Sequence, residues 1–154
     1  MTKYVETIYP TDDKNDYPQR LANLLYARFF SSCNVSKPKI LDIGCCTGKA
    51  LKNFANCCVF DLYGIDVRDE GVEGITFKEC NLETEKIPFP DNYFDFVYSK
   101  SVLEHVFNTD NFLSESLRVL KPGGLFVSLT PDWKSQQSIF WDDYTHVKPL
   151  HVKV

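Results

Sequence analysis

The sequence predicts one α/β domain whose parallel sheet is covered by helices on both faces, and three observations predict it. Short β-branched or aromatic runs alternate with helical periodicities along the chain, which calls for a doubly covered parallel sheet. The run Lys39-Ile-Leu-Asp-Ile-Gly-Cys-Cys-Thr-Gly-Lys49 passes from an apolar strand straight into a glycine-bearing turn and then a helix. Polar positions at Asp42–Gly48, Asp66, Asn81 and Ser99 each fall at or just past the end of a predicted strand. Sheets of this kind bind ligands at the carboxyl ends of their strands. A chain of 154 residues with 44% apolar content can bury one core of its own.

The elements follow in order. Residues 1–14 are polar and carry Pro10, and read as a loose arm. Asp16 can cap a helix, Pro18 suits its first turn, and Leu21, Leu24, Leu25, Arg28 and Phe29 form its stripe. Ser36-Lys37-Pro38 breaks the chain before the first strand. Ala50, Leu51, Phe54 and Ala55 mark a helix over Lys49–Asn56, and a second strand covers Val59–Asp66. Ile75–Cys80 is a third strand, preceded by Gly71 and Gly74. Pro88, Pro90, Asp91 and Asn92 turn the chain into a fourth strand, Phe94–Ser99. A short helical turn at Leu103–Val106 leads to an amphipathic helix over Asn111–Leu120, with Phe112, Leu113, Leu117 and Leu120 on one side. Lys121-Pro122-Gly123-Gly124 stops that helix, and Leu125–Leu129 is the fifth strand.

The glycine turn brings backbone N–H groups to one point beside the carboxylate of Asp42. That carboxylate disfavours a pyrophosphate and favours a ligand offering an ammonium or hydroxyls, such as a nucleoside with a cationic amino-acid end. A dinucleotide fingerprint needs glycines at places held here by Gly44, Cys46 and Lys49, so it fails twice. A P-loop needs four residues between its glycines and a hydroxyl after the lysine. Here three intervene, and Ala50 follows Lys49. What remains is Asp-x-Gly-x-x-x-Gly.

That pattern resembles the first motif of the class I S-adenosylmethionine-dependent methyltransferases, with Cys46 where the family usually has glycine. A side chain there narrows the cofactor's space and disfavours positive φ. Asp91–Val106, with its Leu-Glu-His-Val ending, resembles the fourth-strand region of the small-molecule members, and Leu117–Gly124 resembles their entry into the fifth strand. Similar stretches span residues 38–132. The resemblance implies a Rossmann-like doubly wound parallel sheet and one S-adenosylmethionine-binding domain over residues 15–154. It implies that Asp42, Gly44, Cys45, Cys46 and Gly48 shape the cofactor turn, and that the backbone around Ser99 meets the methionine end.

Asp66 ends the second strand, 24 residues after Asp42. It reads either as a solvated strand end or as an acceptor for both ribose hydroxyls, and the glycine turn favours the ribose. Val67 then neighbours the adenine. Asn81, followed by Leu82, stands where the family usually carries an acidic residue for the adenine amino group; an amide oxygen accepts the same bond. Loop capping is an equal reading of Asn81. His105 is the one general-base candidate, although capping the short helix or packing beneath the pocket is the preferred reading. Methyl transfer from a sulfonium needs little acid–base help when the acceptor is already nucleophilic, and positioning can carry much of the rate.

A net charge of −4 argues against nucleic acid as a partner. No run of 18 apolar residues and no leader-like start are visible, so the expectation is a cytoplasmic chain without a membrane span. The six cysteines contain no Cys-x-x-Cys pair and read as buried reduced thiols rather than metal ligands. Asp142, Asp143 and His146 in the aromatic tail read as a hydrogen-bonded loop rather than a metal site. The family normally continues with a further helix and two strands, so the sheet is expected to lack its last strands. That leaves an open edge for a dimer mate or partner chain. The expected activity is methyl transfer to a small-molecule or glycan acceptor. The alternatives are a non-catalytic cofactor-binding module working with a partner chain, and a nicotinamide-dependent oxidoreductase.

Overall fold

In a computed structural model of the chain, residues 16–31, 35–68 and 73–151 are described. The arm expected over residues 1–14 lies outside them. The apolar run Lys39–Ile43 becomes β1, the middle strand of a sheet ordered β3-β2-β1-β4-β5. Its partners are β2 (Asp61–Asp66), β3 (Thr76–Glu79), β4 (Phe94–Lys100) and β5 (Leu120–Leu129), and every pairing is parallel. The helices are α1 (Tyr17–Leu25), α2 (Lys49–Ala55), α3 (Thr109–Val119) and the short α4 (Trp133–Gln136). The strand order reverses between β1 and β4, the doubly wound, Rossmann-like arrangement expected from the sequence. Its switch point places Asp42, Asp66 and Ser99 along one rim of the sheet.

Two apolar layers hold the sheet. On one face Leu41, Ile43, Ile65, Phe94 and Val97 pack with Phe112 and Val119 of α3. On the other, Ile40, Phe96 and Tyr98 pack with Leu51 and Phe54 of α2 and with Ala22, Leu25 and Phe30 of the first helix. Phe30, Phe54, Phe60 and Phe96 form an aromatic cluster in which Phe60 meets the other three rings edge-to-face and Phe30 lies tilted against Phe96, their centroids 4.2 Å apart.

Three expectations need correction, each for a local reason. The stripe of the first helix is Ala22, Leu25 and Phe30, whereas Leu24 and Phe29 are exposed. Tyr26–Phe30 winds as a wider π-turn, which rotates Phe30 inward in place of Phe29. The helix before β5 buries Phe112, Glu115, Ser116 and Val119, while Leu113 and Leu117 face out. Its inward carboxylate is satisfied by Arg118 and by the Ile87 N–H, and the Ser116 hydroxyl bonds back to the Phe112 carbonyl. Finally, Lys121–Gly124 lies inside β5. Leu120 already pairs with Phe94, and Leu125 pairs with Phe96, so the extra residues bulge out of the ladder. A Cβ on Gly124 would sit 2.9 Å from the Asp95 carbonyl, so only glycine passes there.

Candidate functional site

The rim is built from the glycine turn outward. Gly44 and Cys45 both donate their N–H groups to the Ile65 carbonyl, at 2.8 and 3.1 Å, locking the turn after β1 onto β2. Gly44 has φ +75, and a Cβ on it would stand 2.3 Å from Cγ2 of Val102. Gly48, also in the left-handed region at φ +67, opens α2. Cys46, where the expected glycine is missing, takes φ +46 regardless. The turn imposes the glycine conformation on a residue that bears a side chain.

Asp66 is tied into this turn. One carboxylate oxygen accepts the Cys46 N–H at 2.8 Å and the other the Val67 N–H at 2.7 Å. Two backbone bonds fix the carboxylate while leaving lone pairs for further donors such as ribose hydroxyls. Val67 is exposed and available to a flat ring. Asp42 is buried, with only 3% of its surface accessible. Burial first, and then the neighbouring Asp66 charge, push its carboxyl well above the usual range, with Lys100 opposing them. A carboxylate held at this cost in a second carboxylate's field favours a cationic ligand.

The other expected site residues fall into different roles. Cys45 points into the core, where its Sγ would lie 2.6 Å from a Cβ on Gly64, so only its backbone serves the turn. Burial pushes its thiol up to about 12, with Asp42 and Asp66 adding to the effect, so it stays protonated and unreactive at neutral pH. The Asn81 amide oxygen accepts the Glu83 N–H at 3.0 Å, and its own N–H donates to Glu85 at 2.6 Å, so it caps the turn after β3. Leu82 is a core residue. The Ser99 hydroxyl is fully buried, without a hydrogen-bond partner, and stands opposite Ser128 in the β4–β5 register. That leaves backbone as the face β4 can offer, and Ser101 just beyond it turns sharply at φ +56.

Sequence reasoning missed three contributors. Val102 closes over Gly44. Lys100 is the cation facing Asp42. The tail folds back onto the turn after β4: the Val147 and Lys148 N–H groups donate to the Glu104 carbonyl at 2.8 and 3.2 Å. His105 therefore meets Thr145, whose hydroxyl lies 2.9 Å from Nδ1. Nothing in the sequence paired Leu103-Glu104-His105 with the tail segment Asp142–His146. A hollow of about 380 Å³ opens at the carboxyl ends of β4 and β5, lined by Tyr17, Leu21, Lys100, Ser101, Leu129 and Thr130 among others. A larger one of about 460 Å³ lies at the opposite end of the sheet, around Asp95 and Lys121–Leu125. That end offers no strand carboxyl ends to a ligand, so the smaller hollow is the one relevant to the rim.

The sign of the Asp42 effect is testable. Its folded form holds a proton more tightly than the unfolded chain does, so this carboxyl increasingly costs stability as pH rises from the ordinary carboxylate range through its folded pKa. Asp42→Asn is expected to raise the ligand-free melting temperature at pH 8 and to flatten its pH dependence. The same change should weaken binding of a cationic ligand. An unchanged or lower melting temperature at pH 8 would contradict the burial account.

The doubly wound sheet with an acidic, glycine-cradled rim defines a class, and comparison with known proteins places the chain in it. The family described as "Methyltransferase domain" matches residues 41–128, and the chain belongs to it. The cofactor of this family is S-adenosylmethionine. Among relatives, the chain is 30% identical over 158 aligned positions to the ubiquinone/menaquinone biosynthesis C-methyltransferase UbiE of Vibrio cholerae, covering 90% of this chain and 60% of that one. It thus spans about three fifths of the relative's length. Two solved structures share the fold. One is a SAM-dependent methyltransferase from Archaeoglobus fulgidus (TM-score 0.70, 21% identity, 97% of this chain and 67% of that one). The other is a putative methyltransferase solved in complex with the Trm112 methyltransferase activator of Haloferax volcanii (TM-score 0.70, 18% identity, 97% and 66%). Among the described residues, no helix is long and apolar enough to cross a membrane.

Proposed function

We propose that this chain binds S-adenosylmethionine at the β1–β2–β4 rim and transfers its methyl group to a small-molecule acceptor. The observation that carries the reading is the pair Asp42 and Asp66. A buried carboxyl with raised proton affinity faces a backbone-anchored carboxylate, a field that suits a sulfonium and an ammonium. In this reading Gly44, packed under Val102, and Gly48 shape the turn that meets the cofactor, and backbone groups of Cys45 and Cys46 line it. Asp66 holds the ribose, Val67 flanks the adenine, and the backbone after Ser99 meets the methionine end. Asn81 and Leu82 contribute by shaping the adenine end of the wall. The S-adenosylmethionine supplies an electrophilic methyl group, and the protein's task is to align an acceptor with it and keep water out.

The hollow beyond β4 and β5 is the acceptor's place in this reading, and the acidic net charge of −4 argues for a small acceptor over nucleic acid. The name of the Vibrio relative makes an aromatic quinol ring the first acceptor class to try. Among the described residues β5 is an edge strand, which suits a second copy or partner chain, and one fold neighbour was solved in complex with an activator protein. Among the described residues, thiols at positions 45, 57, 58 and 80 outside any disulfide support a reducing, cytoplasmic setting. Incubation with methyl-labelled S-adenosylmethionine and a panel of quinols, phenols and sugars tests the activity. Label should move to one chemical class and cease with Asp66→Ala. Tight cofactor binding with no transfer to any acceptor would favour a binding module instead.

A further inference from the structure

Glu104, His105 and His146 sit together at the end of the sheet beyond β4, and the methyl-transfer reading uses none of them. Each offers one ligand atom, and the three atoms lie within 4.8 Å of one another. The cluster joins the short helical turn Leu103–His105 to the tail, and it is held closed from both sides. The Glu104 carbonyl accepts two tail N–H groups. Lys148 ties the tail to the Phe107 carbonyl at 2.9 Å and to the Thr109 hydroxyl at 2.8 Å. The two imidazole rings are 4.8 Å apart.

Hydrogen-bond partners fix which nitrogen of each ring is taken up. His146 Nδ1 lies 2.7 Å from the Phe140 carbonyl, which can only accept, so that nitrogen carries the hydrogen. The Thr145 hydroxyl donates to Asp143 at 2.6 Å, so toward His105 Nδ1, 2.9 Å away, it too can only accept. Both rings therefore set Nδ1–H against an oxygen, which leaves Nε2 as the nitrogen available to a metal, the arrangement that orients a metal-ligating imidazole. Glu104 is 1% exposed. Its Oε2 accepts the Thr130 hydroxyl at 3.1 Å, while Oε1 is buried with no hydrogen-bond partner. A cation beside Oε1 satisfies it. The Asp143 carboxylate, 3.8 Å from His146 Nε2, adds negative charge at the border.

We propose that Glu104, His105 and His146 form a binding site for a divalent transition-metal ion of the zinc type, distinct from the cofactor rim. Two imidazoles and one carboxylate suit such ions and leave coordination positions open, whereas magnesium and calcium prefer oxygen alone. Ligands about 2.1 Å from a common ion stand at most about 4.2 Å apart. Occupancy thus draws the three atoms slightly inward and braces the tail against the turn after β4.

Titration of the full chain with Co2+ and Zn2+ tests this. Co2+ should bind one to one, with visible absorption of nitrogen and oxygen ligation, and Zn2+ should displace it. Glu104→Gln keeps the side chain's shape and an acceptor for Thr130, and should weaken binding more than about 100-fold. Thr145→Val, which removes an orienting acceptor for His105, should weaken it about 10-fold. Asp66→Ala should leave metal binding unchanged while losing the cofactor, which separates this site from the methyl-transfer reading. A thiolate-to-cobalt charge-transfer band would assign the ion to the cysteines and overturn the proposal. So would the absence of saturable binding, or wild-type affinity in a Glu104→Gln protein whose metal-free melt shows it folded.

Discussion

Replacing Gly44 by alanine is expected to destabilise the protein by about 2–5 kcal/mol and to abolish cofactor binding. Two costs add. A non-glycine residue in the left-handed region at φ +75 costs about 1–2 kcal/mol. The new methyl group would meet Val102 Cγ2 at 2.3 Å, and overpacking of this kind typically costs about 1–3 kcal/mol. The backbone cannot relax away, because the Gly44 N–H is bonded to the Ile65 carbonyl of the neighbouring strand. The two parts separate in a double variant: Gly44→Ala with Val102→Ala should recover the steric part and keep the conformational part. Denaturant titration of Gly44→Ala, Val102→Ala and the double variant reads both terms. Cys46→Gly is the natural contrast. It relieves the strain of φ +46 but gains unfolded-chain entropy, so its net effect should stay within about 1 kcal/mol. Equal losses for Gly44→Ala and Cys46→Gly would show that contact with Val102 is not what demands the glycine.

Glu115→Ala is expected to cost about 3–5 kcal/mol, equivalent to a fall of about 6–20 °C in melting temperature. Glu115 is buried on the inward face of α3, and both of its oxygens bind the Arg118 guanidinium, at 2.6–3.0 Å. The same arginine donates to the Ile87 and Phe89 carbonyls and to Asp91, so one ion pair fastens the segment before β4 to α3. Removing the carboxylate leaves the buried Ile87 N–H, which Glu115 accepts at 2.8 Å, without its acceptor and takes from Arg118 its buried counter-charge, leaving it Asp91 at the surface and two carbonyls. The Arg118 hydrogen bond holds the Glu115 carboxyl below its usual range, helped by the Ile87 N–H. Its contribution is therefore complete above the ordinary glutamate range and is lost as pH falls through the lower folded value. Glu115→Gln, which can still accept from Ile87, should cost less and remove this part of the acid limb. A loss below about 1 kcal/mol for Glu115→Ala, measured by denaturation at pH 7, would mean the network is dispensable.

Most of the architecture was legible in the sequence because its signals were local. β1, the glycine turn and α2 lie in one continuous stretch, and strand ends at Asp66 and Ser99 carried polar markers. Parallel strands buried on both faces leave apolar runs that read plainly. The helix faces were misread where polarity and burial part company. Glu115 and Ser116 go inward because partners satisfy them, and no periodicity of apolar residues can show that. The proline–glycine run at Lys121–Gly124 has turn chemistry, but its neighbour β4 absorbs it as a bulge, which is a property of the pair and not of the segment. The rim around Asp42 and Asp66 depended on adjacent strand ends and could be anticipated. The Glu104–His146 cluster joins segments with His105 and Thr145 40 residues apart, and only the folded chain reveals it.

The most direct test of the account is a thermal melt with S-adenosylmethionine, S-adenosylhomocysteine and NAD, repeated on Asp66→Ala. Ligand at a hundred times its dissociation constant adds about 2.7 kcal/mol, or about 5–10 °C for a domain of this size. The account predicts that rise with the two adenosyl compounds, none with NAD, and none with any ligand in the Asp66 variant. A rise with NAD, or an adenosyl-induced rise that survives Asp66→Ala, would contradict the assignment of the rim.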